Sequence, residues 1–120
     1  MIDPKLTVSD SNVSPCIEID KRLIEAIANE YWAAKEKHPK FCEQMIDDEG
    51  GFSWDQSEIA IKNRNARNGD IYADDILLEE IAEAFNAYQQ GDKAQALQEL
   101  AQCGAVILRI MEKIEKEIEK

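Results

Sequence analysis

The sequence predicts an all-α fold: an antiparallel bundle of about four helices, completed by oligomerisation. Three observations predict it. Gly and Pro are scarce, five and three in 120 residues, while Ala, Glu, Ile, Leu, Lys and Gln, which lose little free energy in a helix, dominate the second half. Apolar residues recur at three- and four-residue spacing in stretches bounded by capping or stop signals. Finally, Leu100 to Met111 is apolar except for Gln102 and Arg109. A helix apolar around most of its circumference is buried on most sides, and a chain this short does not easily surround one alone.

Residues 1–16 are polar and mixed, with Pro4 and Pro15, and read as a loose arm preceding a single helical domain over 17–120. Asp20 is a good N-cap for a first helix, in which Leu23, Ile24, Ile27, Ala28 and Tyr31 form an apolar stripe. His38-Pro39 ends it, because the residue before proline is pushed out of the α region. Residues 39–52, with Gly50-Gly51, read as a connector. Ser53-Trp54-Asp55-Gln56 resembles a capping box and opens a helix over about 54–67, stopped at Asn68-Gly69. A longer helix spans about Tyr72 to Gln90, with Ile76, Leu77, Ile81, Ala84, Phe85 and Tyr88 as its apolar positions. Gly91-Asp92 makes the turn, and Asp92 caps a last helix over about 93–118. So short a connection makes the two helices antiparallel.

The formal net charge is −11. An acidic chain repels phosphate backbones, which argues against binding a nucleic acid duplex, although divalent cations can still mediate phosphate binding. No run of about 18 apolar residues offers a membrane span. Met1-Ile2-Asp3-Pro4-Lys5 lacks the basic-then-apolar pattern of a secretion signal, so the expected location is cytoplasmic. Cys16, Cys42 and Cys103 are widely spaced and read as free thiols. A zinc site on His38, Cys42 and another cysteine would lack any C-x-x-C pair.

Chemistry concentrates on the last two helices. Glu80 and Glu83 are three apart and share a helical face; Glu99 and Gln102 repeat the spacing. Glu80 and Glu83 lie eleven and eight residues before Gly91, Glu99 and Gln102 eight and eleven after it. An antiparallel turn therefore sets Glu83 opposite Glu99 and Glu80 opposite Gln102. Carboxylates gathered so closely repel unless a cation neutralises them, and hard divalent ions such as magnesium take oxygen ligands. The plainer reading is solvent-facing glutamates. Against it, Glu80 adjoins the apolar line Leu77–Ile81–Ala84, and Gln102 sits inside an apolar run.

Leu77-Leu78-Glu79-Glu80-Ile81-Ala82-Glu83-Ala84-Phe85, a fifteen-residue spacer, then Glu99-Leu100-Ala101-Gln102 resembles the MazG-like nucleoside triphosphate pyrophosphohydrolases, whose signature is E-E-x-x-E, a variable spacer, then E-x-x-D. Tyr31-Trp32 and His38-Pro39 are similar to the end of the first helix in some small members, and the resemblance covers about residues 20–112. It implies a homodimer or homotetramer and magnesium-dependent (manganese possible) hydrolysis of a nucleoside triphosphate to monophosphate and pyrophosphate, a house-cleaning of the nucleotide pool. By that resemblance Glu80, Glu83 and Glu99 are catalytic and hold the metal. Gln102 replaces the usual Asp as a neutral fourth ligand, which leaves a non-catalytic nucleotide- or metal-binding helical oligomer as the alternative. Lys35, Lys37, Lys62, Arg64, Arg67 and Arg109 are candidate phosphate contacts, Arg109 alternatively being an interface ion-pair residue. Trp32 and Trp54 are candidates to stack a base or to fill a core. Trp32, Lys35 and Arg109 are the substrate-binding assignments.

Overall fold

The computed structural model describes residues 5–10, 13–41, 44–47, 49–50 and 53–119, with side chains from Asp20 onward. Pro4, Cys42 and Gly51, used in the sequence reading, lie outside the described residues. The chain divides into two compact units, Met1–Glu43 and Gln44–Lys120.

In the first unit, β1 (Lys5–Asp10) and β2 (Val13–Asp20) form an antiparallel hairpin. Lys5 stands opposite Asp20 and Val8 opposite Ile17, with a register shift between Val8 and Asp10. The sequence predicted a loose arm here because Pro4 and Pro15 read as breakers. Thr7, Val8, Val13 and Ile17 nevertheless favour extended backbone, and a two-stranded ribbon tolerates a proline whose nitrogen faces outward. Helix α1 (Lys21–Lys37) follows directly. Asp20 caps it as predicted, its Oδ1 accepting from the Arg22 N–H at 2.9 Å, and it ends at His38, whose N–H reaches the Ala34 carbonyl at 2.8 Å. Of the predicted apolar stripe, Leu23 is buried, whereas Ile27 and Tyr31 are exposed.

The second unit holds α2 (Trp54–Asn68), α3 (Ala73–Gln89) and α4 (Lys93–Glu119). Each boundary falls within two residues of its predicted place because local chemistry sets it. Ser53 Oγ accepts from the Gln56 N–H, Gly69 takes a left-handed φ of 76°, and Asp92 Oδ1 accepts from the Gln95 N–H at 3.0 Å. At the α3–α4 turn Gly91 adopts φ 90°, which glycine alone reaches without steric cost. Helix α3 is the central element, packed along α4 and along α2. The apolar residues buried there are small: Ala82, Ala84, Ala96 and Cys103. Small side chains let helices approach closely, which brings the polar side chains flanking the seam within reach of one another. Among the described residues four α-helices thus carry the fold, and no helix is long and apolar enough to cross a membrane.

Candidate functional site

The seam between α3 and α4 has the register that the sequence predicts. Gln102, on α4, faces Glu80 on α3. With its amide nitrogen turned toward the surrounding carboxylates, the orientation their charge demands, it donates to Glu80 Oε2 at 2.8 Å and to Glu99 Oε2 at 3.0 Å. Glu99 is buried, 8% exposed, and its other oxygen accepts from Gln95 Nε2 at 2.6 Å. Glu83 lies beside Glu99. Burial, then the hydrogen bond and charge of Glu99, push the Glu83 carboxyl up to about 7, with Lys62 pulling it down and Glu80 adding to the rise. Glu80 is raised as well, by burial first and then by the charge of Glu99. The Cys103 thiol, buried one position beyond Gln102, is raised by burial and by Glu80 and Glu99; it is a free thiol.

Glu79 belongs to this group. Glu79, Glu80 and Glu83 each offer a carboxylate oxygen within 4.8 Å of the others. The coordination shell of a hard divalent ion has similar dimensions: with magnesium–oxygen distances of about 2.0–2.1 Å, opposite ligands stand about 4.2 Å apart. The donor set is all oxygen, as magnesium and manganese prefer. These residues fit a divalent cation with small side-chain adjustments, and Glu99 stands behind Glu83 and Glu80 as a further carboxylate.

Helix α2 packs on α3 through a polar stripe; the sequence named Trp54 and Lys62 singly as candidate ligand contacts but did not single out the stripe. Trp54, Glu58, Lys62 and Asn65 share one face, and each meets α3. Trp54 stacks on Phe85 with ring centroids 5.0 Å apart. Glu58 Oε2 accepts from Asn86 Nδ2 at 2.8 Å. Lys62 Nζ lies 3.3 Å from Glu58 Oε1 and 3.6 Å from Glu83 Oε1. Burial lowers the pKa of Lys62, but Glu83 and Glu58 outweigh it and hold the ammonium protonated. Asn65, 1% exposed, donates through Nδ2 to the Asp75 carbonyl and to Glu79 Oε1, each at 3.0 Å; its Oδ1 is buried with no partner among the described residues. Arg64 pairs with Asp75 at 3.4 Å. The spacing 54, 58, 62, 65 is helical and signals the stripe, but an apolar-periodicity reading passes over a face whose members are mostly polar.

Of the three assigned substrate contacts, Arg109 alone shares a unit with the carboxylates, and it falls outside their group. Arg109 is exposed two turns beyond Gln102 on α4 and lines a cavity of about 560 Å³ with Tyr72, Asp74, Ile76, Val106 and Lys113. Trp32 and Lys35 belong to the first unit. There Lys35 Nζ sits 4.8 Å from the Tyr31 ring centroid and 5.1 Å from that of Trp32, a cation over two aromatic faces. Tyr31, Lys35, His38 and Phe41 line a cavity of about 610 Å³ in that unit.

No protein-family model matches this chain, and no curated protein or solved structure matches it significantly.

Proposed function

We propose that this chain is a magnesium-dependent nucleoside triphosphate pyrophosphohydrolase of the MazG-like type. The observation that carries the reading is the meeting of the two motif halves across the α3–α4 seam, where Gln102 bridges Glu80 and Glu99 and Glu79, Glu80 and Glu83 present clustered oxygens. Glu79, Glu80 and Glu83 would hold the metal, with Glu99 assisting. A bound divalent ion supplies charge neutralisation at the phosphates and a lowered pKa for bound water. The chain's own groups do the rest. Asn65 orients Glu79, Gln102 and Gln95 orient Glu99, and Lys62 is the cation nearest the carboxylates.

A second reading has its own support. The Gln102 amide hydrogen-bonds to the carboxylates only when its nitrogen, not its oxygen, is assigned to face them. In that orientation it is a donor that steadies them and not a metal ligand, which suits a relative that binds without turnover. Both readings place the chain in the cytoplasm as a homo-oligomer, supported by the apolar residues that α4 exposes. Pyrophosphate release from a panel of canonical and modified triphosphates, with magnesium, manganese or chelator, decides between them. Metal-dependent release of pyrophosphate is expected; magnesium binding with no turnover of any triphosphate would favour the second reading.

A further inference from the structure

The carboxylate group carries a cation of its own. Lys62 approaches it from α2, its Nζ 3.6 Å from Glu83 Oε1. We propose that Lys62 is a built-in counter-cation that competes with a divalent metal for Glu83 and, once the metal binds, turns to the phosphate oxygens of the ligand. This rests on the metal-site reading above.

Three features of the geometry carry it. First, the lysine has a resting place outside the metal group. Glu58 lies nearer to Nζ than Glu83 does, 3.3 against 3.6 Å, and is itself fixed by Asn86. Losing Glu83 to a metal therefore leaves Lys62 paired. Second, its side chain is 48% exposed, and an ammonium on a four-carbon stem can turn without disturbing the helix. Its neighbour on the α2 face, Asn65, is fully buried and holds Glu79, so the same stripe offers one fixed contact and one movable contact to the cluster. Third, an ammonium and a divalent ion cannot share one carboxylate edge without mutual repulsion. A phosphate on the metal brings negative charge to that edge and gives the displaced ammonium a new partner. The ligand class is thus a polyphosphate carried with its metal, and free polyphosphate should bind poorly against so many carboxylates.

Calorimetric titration with magnesium chloride alone, and then with inorganic pyrophosphate at saturating magnesium, tests this on the full chain. Lys62→Met should bind magnesium about tenfold more tightly than wild type and magnesium pyrophosphate about tenfold more weakly. Lys62→Arg, which keeps the charge, should stay near wild type. Glu58→Gln removes the resting place, drives Lys62 onto Glu83 and should weaken magnesium binding; it carries the test if Lys62→Met fails to fold. Magnesium binding by Lys62→Met that equals or falls below wild type, or unchanged pyrophosphate binding, overturns the proposal while leaving the metal site standing. Magnesium bound by Lys62→Met but not by wild type supports it in its strongest form. Magnesium bound by neither removes the metal-site reading and this proposal with it.

Discussion

Gln102 and Glu80 meet across the α3–α4 seam with the amide nitrogen 2.8 Å from the carboxylate, and the same nitrogen lies 3.0 Å from Glu99. One neutral side chain thereby donates to two carboxylates that would otherwise repel. Gln102→Asp removes both donors and adds a charge. In chelator we expect the variant to lose about 1–3 kcal/mol, the range for unmaking hydrogen bonds to charged groups. In saturating magnesium most of the loss should be recovered, because hard cations bind more tightly as ligand charge rises. Melting curves in chelator and in magnesium check both parts. A loss that magnesium does not relieve would show Gln102 to be structural and no part of a metal shell.

Glu83 makes stability fall with pH. Its carboxyl is raised from an ordinary value near 4.5 to about 7, so between those values the folded chain holds a proton that the unfolded chain has lost. Stability conferred by that proton is fully present below about 4.5 and is lost as pH rises through about 7. In chelator the melting temperature of wild type should decline across this window relative to Glu83→Gln, by the equivalent of roughly 3 kcal/mol. Glu83→Gln should also melt higher than wild type at pH 8 in chelator and lose magnesium binding. Parallel pH profiles for the two proteins would contradict the assignment.

Asn65 ties α2 to the acidic group from a fully buried position. Asn65→Asp keeps the volume but turns the donor that serves Glu79 and the Asp75 carbonyl into an acceptor facing acceptors. A broken, buried polar network of this kind typically costs about 2–4 kcal/mol. Chemical denaturation should report a loss in that range, whereas exposed Asn63, two residues away, should tolerate the same change.

How far the sequence revealed this molecule depends on whether local chemistry or partner choice set each feature. Helix ends were legible because Asp20, Ser53, Gly69 and Asp92 act on backbone within a few residues of themselves. The pairing of Glu80 with Gln102 was legible because a two-residue turn fixes antiparallel register. The hairpin was not, since pairing two short strands depends on cross-strand contacts that the prolines obscured. The α2 stripe was missed for a related reason. Glu58 and Asn65 look like a solvated face, and Lys62 like a lone phosphate contact, until α3 supplies Asn86, Glu79 and Glu83 as their partners. Glu79 was in view as the first member of the E-E-x-x-E run, but only Asn65 shows that it is held in place.

The outer face of α4 is apolar and uncovered. Leu97, Leu100, Gly104, Ile107, Met111, Ile114 and Ile118 alternate at spacings of three and four, the a/d pattern of a helix that packs on another helix. Leu97, Leu100, Ile107, Ile114 and Ile118 are exposed, while Ala96, Glu99 and Cys103 mark the buried face. The register Glu80–Gln102 sets Ala73, the first residue of α3, level with Arg109, so the last turns of α4 run beyond α3 with Ile114 and Ile118 uncovered. The seam spans about 31 Å at 1.5 Å per residue. A second α4 is long enough. Pairing two such faces would bury on the order of 1,000 Å², near the lower bound of a specific interface. Gly104 sits mid-seam, and a Cβ there would meet nothing within 4 Å in its own chain. In a lone chain Gly104→Ala should therefore stabilise the helix by about 1 kcal/mol; against a partner helix it intrudes on the contact. We expect sedimentation to show an oligomer for wild type, a weakened one for Gly104→Ala and a monomer for Ile107→Glu. A wild-type monomer at micromolar concentration, with Gly104→Ala simply more stable, would remove the seam as a subunit contact.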